Sequence, residues 1–226
     1  MILLRNIRRT YTSDEIETAA LADINLQVAQ GEFVAIMGPS GCGKSTLLNI
    51  LGTIDRPTAG SYIFDERDLT IEREAVLAQH RAEKLGFVFQ SFNLIDELTI
   101  AENVELGLAY RKHGIGSRSS RISTAMDRVG IAHRARHYPH QLSGGQQQRA
   151  AIARAIVGDP SLILADEPTG NLDTDNSAQI MGILQTLHGE GATIIMVTHS
   201  PAQASLAQRR VDMLDGRIVP SATPAI

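Results

Sequence analysis

Three short stretches of this chain order their residues in a way that handles phosphate. The first, GPSGCGKST at 38–46, spaces glycines along a turn and closes on Lys44, Ser45 and Thr46. It fits the pattern G-x-x-x-x-G-K-[ST], in which glycines let backbone N–H groups turn inward around phosphate oxygens, helped by the positive end of the next helix. Gly38, Pro39, Ser40, Gly41, Cys42 and Gly43 form this loop, Lys44 can reach the β- and γ-phosphates, and the Ser45 hydroxyl can bind Mg²⁺. The second stretch, LILADE at 162–167, runs an apolar strand into two carboxylates. Asp166 is expected to hold Mg²⁺ through water, and Glu167 to polarise the water that attacks the γ-phosphate. The third, QLSGGQQQR at 141–149, sets Ser143, Gly144, Gly145 and Gln146 at a helix entrance. Such an entrance offers N–H groups and a hydroxyl to an anion, and taken alone it reads equally well as a flexible N-cap.

Chemistry of this kind needs elements to position it. FVAIM (33–37), LILA (162–165) and TIIMV (193–197) are continuous apolar runs, as strands buried on both faces require. INLQV (24–28) alternates instead, as a half-buried strand does. Turns and helical patterns follow these runs, including TLLNIL directly after the phosphate loop, which predicts a parallel α/β sheet. From about residue 99 to 157 the period is helical, which predicts a helical insertion within that core. HGIGSRSS at 113–120 reads as a solvated loop between two of its helices, and PSATPAI at 220–226 as a frayed tail.

Bulk properties narrow the function classes. With 226 residues and 43% hydrophobic content the chain can bury a substantial core. Its net charge of −4 gives no general attraction to nucleic acid or anionic lipid. No apolar run approaches the roughly 20 residues that cross a bilayer. The single Cys42 excludes an internal disulfide framework and suits a reducing compartment, so a cytoplasmic protein is expected. His133, His137 and His140 cluster, but zinc would want further ligands and an ordered second shell.

With its motifs in this order, the chain resembles the ATP-binding cassette (ABC) ATPases over about residues 1–219. Besides the two phosphate motifs it has LSGGQ followed by QQR, Gln90 after LGFVF, Asp173 in NLD, and His199 after TIIMVT. The resemblance implies an α/β P-loop core with a mainly parallel sheet, an N-terminal antiparallel β region and an inserted helical subdomain. It implies one nucleotide-binding domain over 1–226: core at 1–90 and 160–219, helical subdomain with the signature at 91–159, tail at 220–226. ATP and Mg²⁺ are the implied cofactors, and hydrolysis of ATP to ADP and phosphate the implied reaction. Ser143, Gly144, Gly145 and Gln146 would act in trans, covering the γ-phosphate held by a second copy, so that an ATP-dependent homodimer encloses two ATP molecules. Gln90 would contact Mg²⁺ and the attacking water, His199 would hydrogen-bond the γ-phosphate and orient that water, and Asp173 would lie at the dimer seam. Tyr11 matches the aromatic on which the family stacks adenine, although a tyrosine near a strand end also serves plain packing.

DEPTGNLD, FVFQSFNLIDELTIAENVEL and the long run around the phosphate loop resemble the macrolide-exporter and lipoprotein-release type. That implies a separate integral-membrane permease as partner, no nucleic acid, and a place on the inner face of the cell membrane through the permease. Export, lipoprotein release and mechanotransmission are the implied roles; a soluble ABC ATPase of DNA repair or translation, or a non-hydrolysing scaffold, are the alternatives. Two positions depart from the pattern: Gly107 stands where proline is common, and Cys42 where a small Ser or Ala is common. Cys42 is expected to be reactive and shielded by ATP, the alternative being that its side chain points into the sheet as an inert small apolar group. Phe92, Leu94, Ile95 and Leu98 are expected to line a groove for a partner helix, or else to pack onto the helical insertion.

Overall fold

The computed structural model describes residues 1–13, 16–111 and 118–220. In chain order these form β1 (Ile2–Ser13), β2 (Ile16–Val28), β3 (Phe33–Met37), α1 (Lys44–Leu51), β4 (Ala59–Phe64), β5 (Arg67–Asp68), α2 (Glu74–Lys84) and β6 (Leu85–Phe89). There follow α3 (Ile100–Glu105), α4 (Arg118–Arg128), α5 (Gly144–Ile156), β7 (Leu162–Asp166), α6 (Thr174–Gly189), β8 (Thr193–Thr198), α7 (Pro201–Ala204), β9 (Arg209–Leu214) and β10 (Arg217–Val219). Among the described residues the strands form two sheets. One, ordered β2-β1-β4-β5, is antiparallel. The other, ordered β10-β9-β3-β8-β7-β6, is parallel except for the β10 edge.

The apolar runs become the centre of the larger sheet because alternate side chains leave a strand on opposite faces. Phe33, Ala35, Ile163, Ala165, Ile194 and Met196 point to one face, where α3, α5 and α6 cover them. Val34, Ile36, Leu162, Leu164, Ile195 and Val197 point to the other, toward α1 and the antiparallel sheet. Each such Val, Leu or Ile contributes about 1.5–3 kcal/mol on burial. The strand carboxyl ends therefore open between two packed layers, where ligands bind in α/β folds.

Between β6 and β7 the described residues hold helices and no strand. Thr99 starts α3 with a reciprocal cap: its side chain accepts from the Glu102 N–H, and Glu102 accepts from the Thr99 N–H at 2.8 Å. The expected 113–120 loop lies outside the described residues up to 117, and its end differs from expectation, since Arg118 already opens α4. From 221 onward the expected tail is also outside the described residues. Gly107 has a packing reason: an added Cβ would come within 2.3 Å of the Arg154 carbonyl oxygen. No helix among the described residues is long and apolar enough to cross a membrane.

Candidate functional site

The phosphate loop leaves the buried end of β3 and enters α1 through Gly43, whose φ of 99° favours glycine. Packing demands glycine there too, because a Cβ would meet the Ala20 carbonyl oxygen at 2.4 Å. Gly41 also has positive φ, with open space around it. No side chain caps α1, so its first N–H groups remain available to an anion. Lys44 is buried, and its Nζ donates to the carbonyls of Gly38 at 2.9 Å and Pro39 at 2.8 Å. Pro39, Ser40 and Ser45 are exposed, and Thr46 lies in the first turn of α1.

Cys42 corrects an expectation. It is only 4% exposed and packs in the apolar cluster beneath the loop, with its Sγ 2.6 Å from where a Gly38 Cβ would stand. The thiol faces the protein interior and behaves as a small apolar group. What residue 42 presents toward the loop is backbone.

Both carboxylates emerge at the end of β7. Burial, and then the charge of Glu167, push the Asp166 carboxyl above the usual carboxylate range, while a hydrogen bond from Ser45 and the charge of Lys44 oppose them. A cation beside Asp166 and Ser45 would relieve that excess of negative charge, so these groups fit Mg²⁺. Glu167 sits in the left-handed region at φ 45°, a strained position for a residue with a side chain. Its N–H donates to the Val197 carbonyl at 2.9 Å, tying the ends of β7 and β8 together. Its Oε2 lies 3.0 Å from His199 Nδ1, so the pair expected to handle water is already in contact.

Gln90 follows β6 and is held by Asn171, to which it donates at 3.1 Å; Asn171 returns a bond to the Gln90 carbonyl at 3.1 Å. Asp173 caps α6, accepting from the Asn176 N–H and Nδ2, both at 2.8 Å. These bonds lower its carboxyl below the usual range. Asn176 also crowds Gly145, where a Cβ would be 2.0 Å from its Oδ1. Asn171 and Asn176 escaped the sequence reading; the D-x-x-N cap spacing was a signal for the second. Arg154 escaped it too: it donates to the carbonyls of Phe92 and Asn93, consecutive residues at positive φ.

Ser143, Gly144, Gly145 and Gln146 open α5. Ser143 Oγ accepts from the Gln146 N–H at 3.4 Å, and Gln146 Oε1 accepts from the Ser143 N–H at 3.2 Å. The side chains nearest Gly144 and Gly145 are Leu172, Phe92 and Asn176, none of them in the phosphate loop. Tyr11 is 41% exposed on β1, donates to Asp55 at 2.8 Å, and carries the Arg9 guanidinium 4.4 Å from its ring centroid.

The apolar patch after Gln90 is divided. Leu94 packs against the core cluster, Phe92 and Leu98 are half-buried, and only Ile95 is exposed. A cavity of about 930 Å³ lies instead beside it, between α2, β6 and α5, lined by Ala78, Phe87, Phe89, Leu106, Tyr110 and Arg154 among others.

The ABC transporter family profile matches residues 21–170. An uncharacterized ABC transporter ATP-binding protein, YvrO of Bacillus subtilis (strain 168), is 50% identical over 219 residues, covering 97% of this chain and 96% of that protein. The macrolide export ATP-binding/permease protein MacB 1/2 of Paracoccus denitrificans (strain Pd 1222) is 48% identical; the match covers 97% of this chain but 33% of that longer protein. The ATP-binding cassette MJ0796, solved as a post-hydrolysis dimer bound to ADP and Pi, superposes with a TM-score of 0.90 at 43% identity, covering 97% of each chain.

Proposed function

This chain belongs to the ABC transporter family, as an ATP-hydrolysing ATP-binding domain, and from that premise we propose that two copies close around two ATP molecules and drive a separate membrane permease. Export or lipoprotein release is the class of work we assign to that complex. The observation that carries the hydrolytic half is the 3.0 Å contact between Glu167 and His199 at adjoining strand ends, next to Asp166.

Lys44 exchanges its two loop carbonyls for phosphate oxygens, and the uncapped amides of α1 receive the rest of the phosphate charge. Ser45, Asp166 and Gln90 would hold Mg²⁺, which would neutralise phosphate charge. Glu167 takes the proton of the attacking water, and His199 orients that water and donates to the γ-phosphate. Ser143, Gly144, Gly145 and Gln146 of one copy close over the γ-phosphate of the other, with Asp173 at the seam. Tyr11 offers its ring to adenine. The dimeric state of the MJ0796 cassette and the separation of this signature from its own phosphate loop both support a site shared between chains.

The permease would seat a helix in the 930 Å³ cavity between α2 and α5. Phe89 and Asn93 on its wall flank the turn containing Gln90, so a partner there presses on a residue of the site. Glu167→Gln tests the hydrolytic and dimeric parts together. The amide keeps shape and loses the base, so turnover is abolished while sedimentation with ATP and Mg²⁺ shows a trapped dimer. A variant that stays monomeric at saturating ATP, or hydrolyses like the parent, removes the reading.

A further inference from the structure

We infer that Gln203 is a positioning residue for hydrolysis, bracing the backbone that carries Glu167 against the backbone that carries His199. Gln203 stands on α7, immediately after the strand end that delivers His199. Its amide oxygen accepts from the Thr198 hydroxyl at 2.9 Å, and its amide nitrogen donates to the Thr169 hydroxyl. Thr198 precedes His199 directly, and Thr169 follows Glu167 by two residues, so one side chain clamps the flanks of both groups. The two hydroxyl-bearing residues are 1% and 3% exposed, where a polar group without a partner is costly.

Glu167 needs such a brace. Its left-handed φ of 45° persists only where the surroundings fix it. One constraint is the Glu167 N–H bond to the Val197 carbonyl, and another is the Gly170 N–H bond back to the Glu167 carbonyl. Those hold the turn to itself and to β8. From α5, Gln148 Nε2 donates to the Pro168 carbonyl at 2.6 Å, and from α7 Gln203 reaches across to Thr169, at the point where the turn departs toward Asn171 and Asp173. Thr198 completes the frame by accepting from the Ser200 N–H at 3.0 Å, and Ser200 caps α7 by accepting from the Gln203 N–H at 3.4 Å. Glu167, His199, Thr169 and Gln203 all border one cavity of about 470 Å³, so the brace adjoins the pair it serves. The site motifs themselves carry no information about this residue, because its role depends on two hydroxyls brought together by the fold.

A brace of this kind acts on the rate and leaves substrate binding alone, since the hydrogen bonds of Gln203 go to Thr198, Ser200 and Thr169 and not to the phosphate loop or α1. The inference rests on the assignment of Glu167 and His199 as the hydrolytic pair. The test is single-turnover hydrolysis and equilibrium Mg-ATP binding on the full chain for Gln203→Leu, Thr169→Val, their double variant, Thr169→Ser and Glu167→Gln. Gln203→Leu and Thr169→Val should each slow hydrolysis about ten- to a hundredfold, the scale of a small misplacement of reacting groups. Affinity for Mg-ATP should stay within about twofold. The double variant should be no slower than the slower single one, because both remove the same contact. Thr169→Ser, which keeps the hydroxyl, should recover most of the loss.

A Gln203→Leu rate within about twofold of the parent overturns the inference, as does a loss carried by ATP affinity or additive losses in the double variant. Should Gln203→Leu fail to fold, equal rates for Thr169→Val and Thr169→Ser overturn it by themselves. An active Glu167→Gln instead removes the assignment underneath, whereas an inactive Glu167→Gln beside a normal Gln203→Leu removes the brace alone.

Discussion

Two helices in this molecule have glycine-rich entrances, and they are finished differently. At α1 the entrance is Gly43, in a left-handed conformation with no side-chain cap, and the neighbouring Lys44 is buried against loop carbonyls. At α5 the entrance is Ser143, which shares reciprocal bonds with Gln146. The first helix leaves its amides for a ligand; the second has satisfied part of them from its own sequence. Its cap is slack, however: the Ser143 hydroxyl accepts at 3.4 Å, beyond the usual span for a strong bond. In the proposed dimer an anion arriving from the other copy would compete with a weak cap, which suits a site that forms and dissolves with each cycle.

The sharpest way to separate the two entrances is to disable each in turn. Lys44→Ala should lower hydrolysis by about 10³-fold or more, since it removes the charge aimed at the transferring phosphoryl group. It should weaken Mg-ATP binding by the monomer as well. Ser143→Arg should also eliminate hydrolysis, by crowding the partner's γ-phosphate, yet leave monomer affinity nearly unchanged. Isothermal titration under dilute conditions, paired with phosphate release, reads both quantities. If Ser143→Arg weakened monomer binding as severely as Lys44→Ala, the two entrances would serve one site within one chain.

The phosphate entrance was legible in the sequence because its logic is local. Spacing alone brings Gly38, Gly43, Lys44 and Ser45 together, and the flanking β3, β7 and β8 are continuous apolar runs because both faces are buried. The direction in which Cys42 points was not local. It depends on the apolar layer behind the loop, so an expected accessible thiol became a core residue. The Gln90–Asn171 exchange was equally hidden, since it joins residues 81 positions apart. β4, β9 and β10 lie at or near sheet edges with half-exposed patterns, and lack the unbroken apolar signal of the central strands. The patch after Gln90 was legible only in part for a similar reason: four apolar residues in a row of eight do not say which of them turn inward, and Leu94 does while Ile95 stays exposed.

A smaller effect tests whether the second entrance really is self-satisfied. Ser143→Ala removes the cap of a 13-residue helix that packs against both α3 and α6. It should cost about 1 kcal/mol, the usual loss when an N-cap is removed. That corresponds to a fall in Tm of about 2–4 °C for a chain of this size. Ser143→Asp, which restores an acceptor beside the helix N-terminus, should return the lost stability but not hydrolysis, because its charge repels the partner's phosphate. Calorimetry without nucleotide reads the difference, and an unchanged Tm for Ser143→Ala would mean the cap contributes nothing.

The first entrance should show the opposite sign. Asp166, beside Lys44 and Ser45, is held above the usual carboxylate range by burial first and by Glu167 second. A carboxyl whose folded-state value is raised destabilises the fold while ionised, and that penalty disappears as pH falls and the folded group takes up its proton. Asp166→Asn should therefore raise Tm at neutral pH, measured in chelator without nucleotide, while hydrolysis is lost. The gain should be smaller than the cap's loss at Ser143, since Ser45 and Lys44 already offset part of the charge. It should shrink as pH is lowered through the raised value toward the ordinary carboxylate value of 3.8, where both forms are neutral in the fold. Mg-ATP should reverse the ranking, stabilising the parent more than the variant, because binding energy goes only to a chain that can hold the cation. A neutral-pH Tm for Asp166→Asn at or below that of the parent, or a difference that ignores pH, would show that this entrance is not strained in readiness for its ligand.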